Sequence, residues 1–464
     1  MENKLFKQIC GKDRYYHDQT QRCYALVDMV DHKEVMFIDN IEYRELIELR
    51  LYQQQKEQKM ANKIIEFAKL EAKFNSKQRS LYKRVAEHDG CFYYDMTNVD
   101  WGIMRIAPNK WEYGHTSKVL FERCQTQTAQ LMPNQNGDFN KIDKYIKNVP
   151  THQQILVKVN IIASLVPNIS HALVLLQSEK GSGKSTLTQM IKAIVDPGSP
   201  YPLQLDPKEL VLNLNSNYLA NFDNLSYISP SISDVFCRAV TGATSNKRKL
   251  YADTRMITIE YKNCVLLNGI NLGTLKDDLL DRSILIVLKK PKSKEMMSDT
   301  EYWGSFNKDL PDILGGMFTI LSKAMSLYDP NSPKSGFRLI DYADWGYAIA
   351  EAMGGNGQDY IDALNKNRIE KNQALLSSSA LCVAIREFMR DKDHWAGQPS
   401  VLLTHLDKIA IDKRLGKNER DWPSNVISLG MKLPKIKSIL SEDGIIVKRK
   451  GHVHKGSLIT ITKK

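Results

Sequence analysis

Between about residues 144 and 289, short apolar runs (HALVLL, SNYLANF, NCVLLNGI, SILIVL) alternate with segments of helical period. Runs this short and this uniformly apolar predict strands covered on both faces. Their alternation with helices predicts a mostly parallel, doubly covered sheet. Upstream, residues 41–88 are charged, lack Gly and Pro, and carry Leu, Ile and Phe at helical spacing, which predicts long helices or a helical hairpin. Residues 91–121 alternate polar and apolar positions between turn signals and predict a small β unit, and the polar stretch MPNQNGDFNK predicts a loop after it. Downstream, residues 300–371 read as helical, with PDILGGMFTILSKAMSLY strongly periodic, and the serines at 377–379 predict a hinge. Beyond it LCVAIREFMR, SVLLTHLDKIA and NVISLGMKLPKIKSIL read as helices, and GIIVKRK and SLITIT as strands around GHVHKG. Three helices followed by a two-stranded wing is the outline of a winged helix.

Length adds that 464 residues exceed one core, with about three domains as the prior. Net charge is +12 at a pI near 9.1, a balance suited to a polyanion. From residue 377 onward 17 Lys and Arg stand against 9 Asp and Glu, so +8 lies in the tail. A solvated basic face with no ligand would read the same way. Seven scattered cysteines without a CxxC pair argue against a disulfide framework or a zinc ribbon, and Cys10, His17, Cys23 and His32 fit no standard finger spacing. No apolar run approaches the roughly eighteen residues of a membrane span, and the first residues lack the pattern of a signal peptide. The expectation is a cytoplasmic protein with no membrane partner.

The candidate chemistry lies in HALVLLQSEKGSGKSTLTQMIKAIV, a buried strand, a Gly-rich loop and an amphipathic helix. Gly181, Ser182 and Gly183 let backbone N–H groups turn toward phosphate oxygens, Lys184 reaches the β- and γ-phosphates, and Ser185 holds Mg²⁺ beside Thr186. ATP and Mg²⁺ are the cofactors expected. Ser178 stands where the full phosphate-loop pattern has its first glycine. Mg²⁺ needs a second hard oxygen, which Asp223 supplies at the end of SNYLANFDN. The acidic residue that usually follows is Asn224, so either Asn224 orients water or a carboxylate such as Asp234 substitutes. Asn268, at the end of NCVLLN, is placed to orient the attacking water. Arg282, before SILIVL, can project toward a neighbouring subunit's γ-phosphate or simply pair with Asp278 or Asp281.

The order of phosphate loop, strand-end Asp223, strand-end Asn268 and LLDRS resembles an AAA+ ATPase core. TGATSNKRKLYADTRMITIEYKNCVLL, inserted before the Asn268 strand, resembles the pre-sensor hairpin of MCM-type hexameric helicases, with Lys247, Arg248, Lys249 and Arg255 near its tip. More narrowly, residues 144–290 resemble the self-loading replicative helicases of staphylococcal mobile islands. The resemblance implies a P-loop AAA+ α/β core over residues 144–300, a helical lid over 301–371 and a winged helix over 377–464. A mixed helical and β region over 1–140 would serve oligomerisation or as a DNA collar. It also implies that Lys184, Asp223, Asn268 and Arg282 are catalytic and that Arg338 is a sensor of bound nucleotide. Lys448, Arg449, Lys450 and His452 join the hairpin cations on DNA. The implied activity is an ATP-dependent, ring-forming, hexameric DNA helicase that also initiates replication at an origin, on single- and double-stranded DNA. The alternatives are an ATP-dependent origin-binding switch without unwinding, and a superfamily 3 phage-type helicase working with a primase.

Overall fold

The chain opens on helix α1 (Glu2–Cys10) and three antiparallel strands, β1 (Arg14–His17), β2 (Cys23–Asp28) and β3 (Lys33–Phe37). This is a computed structural model, which describes residues 2–464 apart from 179–180, 200, 226, 249–255, 270–274, 292–296, 332–334, 416–421 and 454–455. Helices α2 (Ile41–Gln53) and α3 (Ala61–Leu70) follow as the expected helical pair, α3 ending in a π turn at Glu71–Asn75. Each buries one stripe at helical spacing: Tyr43, Ile47 and Leu51 on α2, and Ile64, Ile65 and Ala68 on α3. With Ala25, Val27 and Ile38 these side chains form a core of their own.

Strands β4 (Val85–His88), β5 (Cys91–Asp95), β6 (Ile103–Ala107) and β7 (Lys110–Gly114) form an antiparallel meander, the β unit expected near residues 91–121. One face of it, with Phe92, Tyr94, Met104, Ile106 and Trp111, belongs to the same apolar core as the parallel sheet described next. A buried ion pair reinforces the junction. Arg84, 0% exposed and in left-handed backbone (φ 56°), donates from Nε to Asp196 Oδ1 at 2.9 Å. Asp196 in turn accepts from the backbone N–H of Tyr218 and Leu219 at 3.2 and 3.0 Å.

Helix α4 (Thr151–Ala163) precedes β8 (Leu173–Gln177), α5 (Lys184–Val195), α6 (Leu210–Ser216) and β9 (Leu219–Phe222). Helix α7 (Pro230–Thr241) leads into a hairpin of β10 (Ala243–Arg248) and β11 (Met256–Tyr261). Strand β12 (Cys264–Asn268), the short helix α8 (Asp277–Asp281) and β13 (Ser283–Val287) complete the unit. The four apolar runs pair in the order β13-β8-β12-β9, every neighbour parallel. All four strands are almost wholly buried, which explains why they read as continuous apolar runs.

Helices α9 (Asp299–Leu327), α10 (Ile340–Ala352) and α11 (Gly357–Ser378) cover this unit, as the periodicity of residues 300–371 predicts. The polar loop before α4 docks on α9 where two glycines adjoin. A Cβ at Gly315 would sit 1.7 Å from the Asn134 carbonyl oxygen, so only glycine admits the loop there. Of the serines predicted as a hinge, Ser377 and Ser378 continue α11, and Ser379 leaves the helix and caps α12 (Ala380–Phe388) by accepting from Cys382 N–H. Strand β14 (His394–Gly397), α13 (Pro399–Asp412), α14 (Val426–Glu442), β15 (Ile445–Val453) and β16 (Gly456–Lys463) follow. They form a further compact core, with an antiparallel sheet of order β14-β16-β15. Strand β14 is absent from the sequence reading, because four residues with Trp395 as the only large apolar side chain leave no periodic signal. Among the described residues no helix is long and apolar enough to cross a membrane.

Candidate nucleotide site and nucleic-acid surfaces

Parallel strands carry their loops at the carboxyl end, and ligands of open α/β sheets bind there. The expected phosphate loop follows β8 and delivers α5. Gly183 caps α5 with φ 81° and Gly181 has φ 79°, backbone that an L side chain rarely adopts. Lys184 donates from Nζ to the Ser178 carbonyl oxygen at 2.8 Å and to Ser178 Oγ at 3.0 Å, and Ser182 Oγ donates to the same hydroxyl at 2.7 Å. The serine that breaks the glycine pattern therefore closes the loop with its own hydroxyl. Asn148, outside every motif, fixes the loop from the side: its Nδ2 donates to the Ser182 carbonyl at 2.7 Å, and its own carbonyl accepts from Lys289 N–H at 2.8 Å.

Around this loop the sheet assembles the other expected residues. Ser185, at the start of α5, donates from Oγ to Asp223 Oδ2 at 2.6 Å. Asp223 follows β9, and its other oxygen accepts from Asn224 N–H at 2.6 Å. That amide also reaches Asn268 Oδ1 at 3.0 Å, and Leu225 N–H donates to the Asn268 carbonyl at 3.0 Å. Asn224 takes left-handed backbone (φ 54°), a conformation asparagine tolerates better than most residues. Asn268 is 1% exposed, and its Nδ2 finds no partner among the described residues. A buried amide hydrogen without an acceptor is costly and asks for a ligand. Strand order makes the set possible: β12, carrying Asn268, lies between β8 with its loop and β9 with Asp223.

The donor set fits a magnesium nucleotide: a cation at the loop, a hydroxyl and a carboxylate already in contact, and an unsatisfied amide beside them. Thr186 lies one residue further along α5 and is partly buried. Asp234, the alternative carboxylate, is half exposed and paired with Lys276 at 2.6 Å on α7's outer side.

Arg282 and Arg338 lie elsewhere. Ser283 pairs with Leu173, at the start of β8, while the loop leaves the far end after Gln177. At about 3.3 Å per residue, Arg282 stands roughly 15 Å from the loop of its own chain. It ion-pairs with Asp278, whose carboxyl it holds below the usual range first by hydrogen bonding. Arg338 contacts the same carboxylate at 2.7 Å. Lys371 is buried beside them, donates to the Leu280 and Ser283 carbonyls, and is pushed down to about 8 by burial. Thus Arg338, expected at the nucleotide, shares the Arg282 edge and cannot reach its own chain's loop.

Of the expected DNA contacts, Lys247 and Arg248 stand at the end of β10, their backbone paired with Ile257 and Met256 of β11. Lys249 and Arg255 fall outside the described residues. Lys448 and Arg449 are exposed on β15, which also carries Lys450 and His452. The four residues Cys10, His17, Cys23 and His32 form no metal cluster, nor do any three His, Cys, Asp or Glu among the described residues.

Residues 142–365 match the family model of the actinomycete integrative conjugative element replication protein, and residues 381–464 match that of the AICE RepA C-terminal domain. Over its central and C-terminal parts the chain thus carries the sequence signature of a mobile-element replication protein. The models describe actinomycete elements and not the staphylococcal islands of the narrower resemblance. Among solved structures, the A form apo structure of the NrS-1 C-terminal region is similar at a TM-score of 0.43 and 10% identity over 99% of each chain. A second structure of that region, spanning 305–718, gives 0.39 and 11% over 100% of this chain and 98% of the other. JCV helicase bound to an acetamide compound gives 0.22 and 15% over 47% of this chain and 70% of that one. No curated protein matches the chain.

Proposed function

We propose that this chain, similar through its central and C-terminal parts to a mobile-element replication protein, is an ATP-driven, ring-forming DNA helicase that also initiates replication. The observation that carries the reading is the bonded set Ser185–Asp223–Asn224–Asn268 beside Lys184 at the carboxyl edge of the parallel sheet. ATP supplies a phosphoanhydride whose cleavage releases free energy, and Mg²⁺ supplies charge neutralisation. In this reading Lys184 exchanges its Ser178 contacts for β- and γ-phosphate oxygens. Ser185 and Asp223 hold the cation, and Gly181 to Thr186 present backbone N–H groups at the positive end of α5. Asn268 Nδ2 aligns the attacking water, and no carboxylate stands at position 224 to take its proton.

The distance between Arg282 and its own chain's loop supports action in trans. One subunit would offer Arg282 and Arg338 to the site of the next, and a closed ring of such heterologous contacts completes every site. The β10–β11 hairpin, which enters β12 at its amino-terminal end, opposite the loop, would then shift with each interface and grip phosphates through Lys247, Arg248, Lys249 and Arg255. The helix and strand order of residues 380–463 supports a winged helix that selects the origin.

Strand displacement on a forked duplex, with ATP and Mg²⁺, tests the reading. Wild type should separate the strands, and Lys184→Ala should lose both turnover and unwinding while keeping its fold. The missing acid at 224 favours one competing reading, a slow ATP-dependent switch that assembles on an origin. ATP-dependent origin binding without displacement would establish that switch instead.

A further inference from the structure

The first two turns of α14 expose apolar side chains to solvent. Ile427 is 75% and Met431 61% exposed, one turn apart on the same stripe, with Val426 and Pro434 exposed around them. The helix's buried side, with Leu429, Leu433 and Leu440, already packs into the C-terminal core, so the outer stripe contributes nothing to that core. Cations frame it. Lys437 is exposed on the same helix, and Lys448 and Arg449 on β15 beside it. A Cβ added at Gly430 would lie 3.3 Å from Arg449 Nη1, so the guanidinium rests directly over the helix backbone. Between the two elements runs a groove of about 260 Å³, lined by Val426, Gly430, Pro434, Lys437, Val447 and Arg449. Among the described residues, the acidic residues at the helix's C-terminal end are engaged, Glu442 with Asn372 and Asp443 with Arg386 at 2.9 Å, and Asp407 accepts at 3.0 Å from Nε1 of Trp422, before its first turn.

An apolar centre flanked by cations suits a polyanion that also presents apolar groups. Duplex DNA does so in the major groove, where the thymine C5-methyl is the apolar mark and an α-helix fits. Resting on the reading of residues 381–464 as a DNA-binding unit, we infer that Ile427 and Met431 read thymine methyl groups in the major groove, while Lys437, Lys448 and Arg449 take the flanking phosphates. The two side chains are four residues apart, about 6 Å along the axis, which compares with two base-pair rises of about 3.4 Å. Specificity of this kind comes from contact area and differs from the commoner arginine–guanine readout.

Removing one buried methyl group should weaken binding about 4-fold, and two about 15-fold. The experiment first enriches duplexes from a random 20-base-pair pool with the full-length protein at fixed salt. The enriched duplex then competes with an identical one in which every dT is replaced by dU, which removes only the methyl groups. Wild type should prefer the dT duplex by about 10-fold or more. Ile427→Ser combined with Met431→Ser should erase that preference, with wild type and variant binding the dU duplex alike. Equal binding of dT and dU duplexes by wild type overturns the inference and leaves the DNA-binding reading standing. Failure to enrich any sequence removes both. If the variant instead abolishes self-association in sedimentation and wild type ignores the methyl groups, the face is a protein contact and the inference falls. Both side chains are largely exposed, so the variant should fold; Ile427→Ser alone, with about half the effect on a logarithmic scale, provides the independent check.

Discussion

Replacing Asn268 with alanine should separate stability from turnover. Among the described residues the carboxamide makes one bond, from Asn224 N–H to Oδ1 at 3.0 Å. Its loss costs about 0.5–1.5 kcal/mol, and Asn224 N–H is not stranded, because Asp223 Oδ1 still accepts from it at 2.6 Å. The buried Nδ2 has no partner among the described residues, so deleting it relieves a penalty of roughly 1–3 kcal/mol. The small void left behind takes back on the order of 1 kcal/mol. These terms nearly cancel, and the thermal midpoint should move by no more than about 2–4 °C. Turnover should behave differently, because the proposed function needs the deleted donor where the water and the γ-phosphate would meet. Loss of one such preorganised donor lowers kcat about 10²–10³-fold. Steady-state ATP hydrolysis at saturating nucleotide, alongside a melting curve without nucleotide, measures both. A midpoint lowered by more than about 6 °C with turnover retained would refute the reasoning, since Asn268 would then be a structural spacer.

Asp196→Ala should destabilise the parallel-sheet unit by about 3–5 kcal/mol, because it strands the buried Arg84; unchanged urea unfolding would mean the pair is dispensable. Burial pushes the Asp196 carboxyl up, but Lys192, Arg84 and the Leu219 amide outweigh it and hold the group well below the usual carboxylate range. Its contribution is therefore complete above about pH 5 and is lost as pH falls below about 4, so wild type should lose stability there more steeply than Asp196→Ala. Arg282→Ala should abolish turnover while nucleotide binding persists, and mixing it with Lys184→Ala should restore part of the activity; no recovery at any ratio would count against action in trans. Replacing Lys247, Arg248 and Lys249 together should preserve ATP binding and reduce DNA-stimulated hydrolysis and strand separation, and an unchanged unwinding rate would mark them as a solvated turn.

Local periodicity was enough to place the four buried strands, the helical pair of α2 and α3, the long helices of residues 299–378 and the tail's three helices. Each is specified by neighbours within a few residues: apolar runs covered on both faces, stripes at helical spacing, and glycines at left-handed positions before α5. The composition of the candidate phosphate site was legible for the same reason, as Gly181 to Ser185 are contiguous and Asp223 and Asn268 end recognisable strands. Tertiary structure decided what these residues touch. Parallel pairing is set by burial between distant runs, and it alone places β12 between β8 and β9 so that Asn268 meets Asn224 across 44 residues. Asn148 supports the loop from 34 residues away, and Arg84 reaches Asp196 across 112, with nothing in either local sequence to announce it. The same parallel register sends Arg282 to the edge opposite the loop, where Arg338 joins it on Asp278, a placement invisible in the string LLDRS. Strand β14 exists because β16 offers it a partner edge, from His394–Thr462 to Gly397–Ile459. Hydrogen-bond partners at such separations are chosen by how whole elements pack, since that packing determines which polar groups are buried together and must satisfy one another.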